Sequence, residues 1–174
     1  MKRGVLGLCV VIALVLSGNL VGSGVEARAP ANLCKGRPVP EEGYAHVPTG
    51  SPVLYKHNPP ASGPHYPQIA RPGVYLREVP PGYWVHNLEH GYVVVLYRWP
   101  GAPPQVLREL QEIYNTLPKS KYGYVKLIVA PYPKLRRLLT AIAWTRILEL
   151  DRVDRACLEE FYRTYVDRGP EDAP

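Results

Sequence analysis

The chain has 174 residues, the length of one domain, with 46% hydrophobic and 21% charged residues, a balance that excludes disorder as a description of the whole. Its 20 prolines follow neither a collagen period nor a P-x-x-P pattern, and no segment of ~20 residues recurs, so collagen, solenoid and propeller architectures are excluded. The net charge of +6 is ordinary solubility charge, and Lys119/Lys121 and Lys134/Arg136/Arg137 accompany no nucleic-acid motif, so no nucleic-acid partner is expected.

Residues 1–29 read as a signal peptide. Lys2 and Arg3 precede an apolar stretch from Gly4 to Leu16, and Ala27-Arg28-Ala29 has the small-x-small form of a cleavage site. The rival reading is an uncleaved N-terminal anchor over Gly4 to Val25, which five glycines with Ser17, Asn19 and Ser23 weaken. Either way residues 30–174 are expected to form a single extracytoplasmic domain, secreted or in the cell envelope. A membrane enters only through the N-terminal segment, if that stays uncleaved. Cleavage lowers the net charge to about +4. Two cysteines then remain, Cys34 and Cys157, and in an oxidising compartment they read as a disulfide.

From Pro30 to Gly91 Gly and Pro recur every few residues and no helical period survives. Short extended pieces are expected at Tyr44–Val47, Val53–Tyr55 and Val74–Val79. Tyr92–Tyr97 is an apolar run bounded by Gly and Pro, a buried strand. Pro103 and Pro104 open a helix carrying Val106, Leu110, Ile113 and Leu117 at helical spacing. Tyr124–Ala130 reads as a second strand and Leu138–Leu148 as a third. Asp151 or Asp154 caps a last helix with Val153, Cys157, Phe161 and Tyr165 on one face. The expected class is α+β: a small sheet of about three to five strands, two helices in the C-terminal half, and a proline-rich, loop-dominated N-terminal half.

All five histidines fall between His46 and His90, and 14 prolines fall between Pro38 and Pro104. In Val85-His86-Asn87-Leu88-Glu89-His90-Gly91 two histidines stand four apart, which shares one side of a helix or of a strand. Ser62-Gly63-Pro64-His65-Tyr66 offers a third on a stiff turn. Two co-facial imidazoles do not both charge comfortably, and a divalent ion takes both as neutral ligands. His65, His86 and His90 are therefore the candidate metal ligands. Hydrogen-bonded structural histidines come next, and metal-free acid–base work last. Glu89 is a ligand, an acceptor behind an imidazole, or the general base of an enzyme. On a strand it points away from His86 and His90, which ranks it below them. Tyr66 and Asn87 are candidate supports behind the ligands, whereas His46 and His57 read as structural. The spacing is not H-E-x-x-H, because Asn87 stands where that motif has its base.

Pro59–Tyr66 followed by Val85–Tyr92 resembles an uncharacterised family of bacterial secreted or membrane-anchored proteins known only as a domain of unknown function. The resemblance continues through Ala130-Pro131-Tyr132, Ala141–Trp144, Phe161 and Pro170-Glu171. It implies one extracytoplasmic domain with His65, His86, Glu89 and His90 as signature positions, and it supplies no reaction.

An imidazole-rich site with no methionine after residue 29 suits copper or zinc, with copper slightly ahead because nitrogen sites bind it more tightly. The first functional expectation is an extracytoplasmic copper or zinc carrier or storage protein, non-enzymatic, whose partner is the metal ion and whose protein partner the residues do not name. The alternatives are a metal-dependent or His/Glu acid–base hydrolase, and a structural or interaction domain with hydrogen-bonded histidines.

Overall fold

A computed structural model describes residues 33–99 and 103–174. The signal peptide or anchor expected over 1–29 lies outside these residues. Among the described residues no helix is long and apolar enough to cross a membrane.

The chain is α+β. Its strands are β1 (Arg37–Pro38), β2 (Gly73–Val74), β3 (Val93–Tyr97), β4 (Leu127–Pro131), β5 (Leu139–Ala143) and β6 (Arg146–Leu150). They form one mixed sheet in the order β1-β6-β5-β3-β4-β2. β3 pairs in parallel with β4, and β4 with β2. The β3–β5, β5–β6 and β1–β6 pairs are antiparallel. Six strands exceed the expected three to five. The additional strands come from two-residue edge pieces and from the split of Leu138–Leu148. That segment is a hairpin with its turn at Trp144-Thr145, where Thr145 has a φ of 57°. Trp144 and Thr145 are strand formers by type, which hid the turn. Val53–Tyr55 is not a strand, and of Val74–Val79 only Val74 lies in a strand, with the Tyr75 N–H donating to Val129 O at 2.7 Å beyond its end.

The helices are α1 (Pro81–Glu89), α2 (Pro104–Thr116) and α3 (Arg155–Tyr165). α2 and α3 stand where their apolar spacing placed them, except that Leu117 is the C-cap of α2 and Val153 precedes α3. Asp154 caps α3, accepting from the Cys157 backbone N–H at 3.0 Å. α1 corrects the expectation of an N-terminal half without helix. Its two flanking prolines look like loop punctuation, yet Pro81 occupies the first turn, where its missing N–H costs nothing.

Both faces of the sheet are covered, so β3 is buried at every position. Alternation sends Val93, Val95 and Tyr97 to the side of Leu110, Ile113, Leu158 and Phe161, on α2 and α3. Val94 and Leu96 face the other way, towards Trp84, Val85 and Leu88 of α1. The Cys34–Cys157 disulfide fastens the N-terminal turn Leu33–Lys35 to α3 across 123 residues of sequence.

Candidate metal centre

α1 divides its surface between two tasks. Trp84, Val85 and Leu88 are fully buried against the sheet. His86, Glu89 and His90, at offsets of three and four, share the side turned away from it. In a free helix that side meets water. Here the proline-rich loop roofs it, because His46 and His65 form a parallel bridge beside α1. The Val47 N–H donates to the His65 carbonyl at 2.8 Å and the His65 N–H to the Ala45 carbonyl at 3.0 Å. Gly82 lets the loop close down: a Cβ there would stand 2.5 Å from the Tyr66 ring.

The result is a cluster of imidazoles. Ring centroids are 4.9 Å apart for His46–His65, 4.8 Å for His46–His86, 4.7 Å for His65–His86 and 4.5 Å for His86–His90. Three imidazoles on one tetrahedral ion have centroids about 5 Å apart.

Three of the four rings are aimed through Nδ1, His65 and His86 by backbone carbonyls and His90 by the Pro174 oxygen. Nδ1–H of His65 donates to Gly63 O (2.9 Å), that of His86 to Tyr66 O (2.8 Å), and that of His90 to Pro174 O (3.0 Å). These oxygens only accept, so in His65, His86 and His90 Nδ1 carries a proton and Nε2 is the nitrogen left for the cluster. This is the pattern by which ligating imidazoles are held. Burial, with the neighbouring His90, His65 and His46 adding to it, pushes the His86 pKa down to about 4 against the opposing Tyr66 carbonyl. His86 is therefore neutral at physiological pH.

The acidic partner is Glu89, whose side chain is 9% exposed. Its Oε2 lies 3.0 Å from His65 Nε2 and 4.0 Å from His86 Nε2. His65 is fully buried, and its Nε2 makes no hydrogen bond despite that short approach. With the His65 Nδ1–H committed to Gly63 O, its Nε2 and the Glu89 Oε2 are joined either by a proton between them or by a cation that takes the proton's place.

Among the described residues two tetrads have ligand atoms all within 4.8 Å of one another: His46, His65, His86 and Glu89, and His86, Glu89, His90 and Glu171. The expected ligands are thus divided, His65 in the first, His90 in the second and His86 in both. The structure adds two placements that residue spacing left open. Glu89 does not point away from the histidines, because the segment is helical and places it three residues from His86. His46, read as structural, stands in the first tetrad, and only its place in the extended piece Tyr44–Val47 hinted at the pairing. Glu171, in the second tetrad, was marked only by the resemblance at Pro170-Glu171 and by no spacing to the histidines. His57 bonds to Glu42, outside the cluster.

Of the expected supports, Tyr66 acts through its backbone carbonyl on His86, while its hydroxyl donates to Ser51 O at 3.0 Å. Asn87 does not reach the imidazoles. Its side chain clamps Ala70, accepting from the backbone N–H and donating to the carbonyl.

The family model described as "Protein of unknown function (DUF3105)" matches residues 46–174. The match opens on His46 and takes in both tetrads. No curated protein and no solved structure matches the chain.

Proposed function

The chain belongs to the DUF3105 family, and we propose that it is an extracytoplasmic metal-binding protein that carries or stores copper or zinc at His46, His65, His86 and Glu89. The observation that carries this reading is the His65–Glu89 opposition: a fully buried Nε2 without a hydrogen bond, 3.0 Å from a carboxylate. The carbonyls behind His65 and His86 hold the lone pairs inward before any ion arrives, which reduces the ordering cost of binding. Imidazole nitrogen with a single carboxylate suits Zn(II) and Cu(II), and nitrogen sites bind copper more tightly, which keeps copper ahead.

The test is metal analysis of the full chain expressed without an affinity tag. At least one equivalent of copper or zinc is expected, and His65→Ala is expected to lose it while keeping the far-ultraviolet spectrum. A chain that takes up neither metal, or a His65→Ala variant that retains it, overturns the reading in favour of structural histidines.

The Glu89 carboxylate, which accepts no hydrogen bond among the described residues, favours one second reading, a hydrolase in which the ion would activate water and Glu89 would accept its proton. Metal-dependent hydrolysis of ester or phosphoester probes, abolished by Glu89→Gln at unchanged metal content, separates it from a carrier.

A further inference from the structure

We propose that the cluster takes two divalent ions side by side, with Glu89 bridging them and with His90 and Glu171 holding the second. This deepens the metal reading above and rests on it.

His90 repeats, at the other end of the cluster, the opposition seen at His65. Its Nδ1–H is committed to Pro174 O, and its Nε2 faces Glu171 Oε2 at 3.3 Å. Glu171 is brought there by a built path. The Asp167 N–H donates to Gly91 O at 2.9 Å, and the Glu171 N–H donates to Glu89 O at 3.1 Å. At Gly169 the tail lies so close to α1 that a Cβ would stand 2.0 Å from the Glu89 carbonyl oxygen. Lys126, 1% exposed, fastens both sides, with Nζ donating to His90 O (2.8 Å) and Ala173 O (2.7 Å) and paired with Asp167 at 3.1 Å.

One ion does not use all of these donors. His86 has Nδ1 committed to Tyr66 O, so its Nε2 serves one ion at a time, although it lies within reach of both tetrads. Glu89 is different, because a carboxylate has two oxygens. Nine-tenths buried and reached by no hydrogen bond among the described residues, it stands in both tetrads. Bridging carboxylates of this kind hold ions about 3.5–4 Å apart. His46 and His65 then serve the inner ion. His90 and the half-exposed Glu171 serve the outer one, which binds second because the first ion repels it and water screens its ligands.

The experiment is titration of the metal-free full chain with Zn(II) alone, followed by calorimetry and by metal analysis after desalting. Wild type is expected to take two equivalents in two resolved steps. Glu171→Gln, at an exposed position, is expected to take one, with the first step unchanged. His65→Gln is expected to lose the tighter step. Saturation of wild type at one equivalent, or two equivalents retained by Glu171→Gln, overturns the second position while leaving the first standing. A wild type that takes up no zinc overturns the two-ion site, and one that also takes up no copper in the metal analysis above overturns the metal reading with it.

Discussion

The two faces of the sheet are covered by opposite means. On one, α2 and α3 lay apolar side chains over Val93, Val95 and Tyr97, and the disulfide closes the layer. On the other, α1 packs Trp84, Val85 and Leu88 inward and then turns His86 and Glu89 into a second, polar layer roofed by His46 and His65. The first face uses burial as proteins ordinarily do, to remove apolar area from water. The second buries polar groups and leaves acceptors unanswered, which costs stability unless a ligand answers them. Where a fold keeps such a cost on one face only, that face is where binding is to be sought.

The comparison breaks most visibly if the apolar face is loosened. Reduction of the disulfide, or Cys34→Ala with Cys157→Ala, frees a loop of 123 residues and is expected to lower stability by about 4 to 5 kcal/mol in the chain-entropy picture. Denaturant titration reads that loss. Metal uptake by the fraction that stays folded is expected to persist, because neither cysteine touches the cluster. Loss of uptake at full folding would show that the two faces are not separable.

A smaller effect tests the polar face with protons. The folded His86 pKa is about 4, below its ordinary 6.5. Between those values the unfolded chain binds the proton and the folded chain does not, so stability is complete above pH 6.5 and falls as the pH drops towards 4. For metal-free protein the expected loss is about 2 kcal/mol after solvent screening. Thermal denaturation across that window should show it, and His86→Asn should flatten the slope. An equal slope in the variant places the titrating group elsewhere.

The smallest effect is also the most discriminating. Glu89→Gln removes the carboxylate 3.0 Å from His65 Nε2, which makes no hydrogen bond among the described residues, and supplies an amide donor for that nitrogen. Metal-free stability is therefore expected to rise, by about 1 kcal/mol, while metal affinity falls. A carboxylate retained for the fold gives the reverse sign, so melting of the metal-free pair decides between the two roles.

Much of the apolar face was legible in the chain. β3, α2, β4 and α3 follow from an apolar run, from helical spacing between Pro104 and Pro118, and from Asp154 ahead of the last helix, all short-range signals. The polar face was legible only as residue types. His86 and His90 are co-facial in either secondary structure because an offset of four holds in both, whereas Glu89, at offset three, joins them only on a helix. α1 was missed because prolines that start a helix look the same as prolines that interrupt one. The hairpin at Trp144-Thr145 was missed because a residue at positive φ announces itself only when it is Gly or Asn.

What the sequence by itself determined is local: the apolar periods, the helix caps, the pairing of the two cysteines left after residue 29, and a supply of histidines confined to one proline-stiffened stretch. What the tertiary structure decided is which of those histidines meet. His46 and His65 stand 19 residues apart in sequence, and Glu171 arrives beside His90 from the far end of the chain. Such neighbours are set by where the loop closes on α1 and where the tail crosses it, and residue spacing carries no information about either.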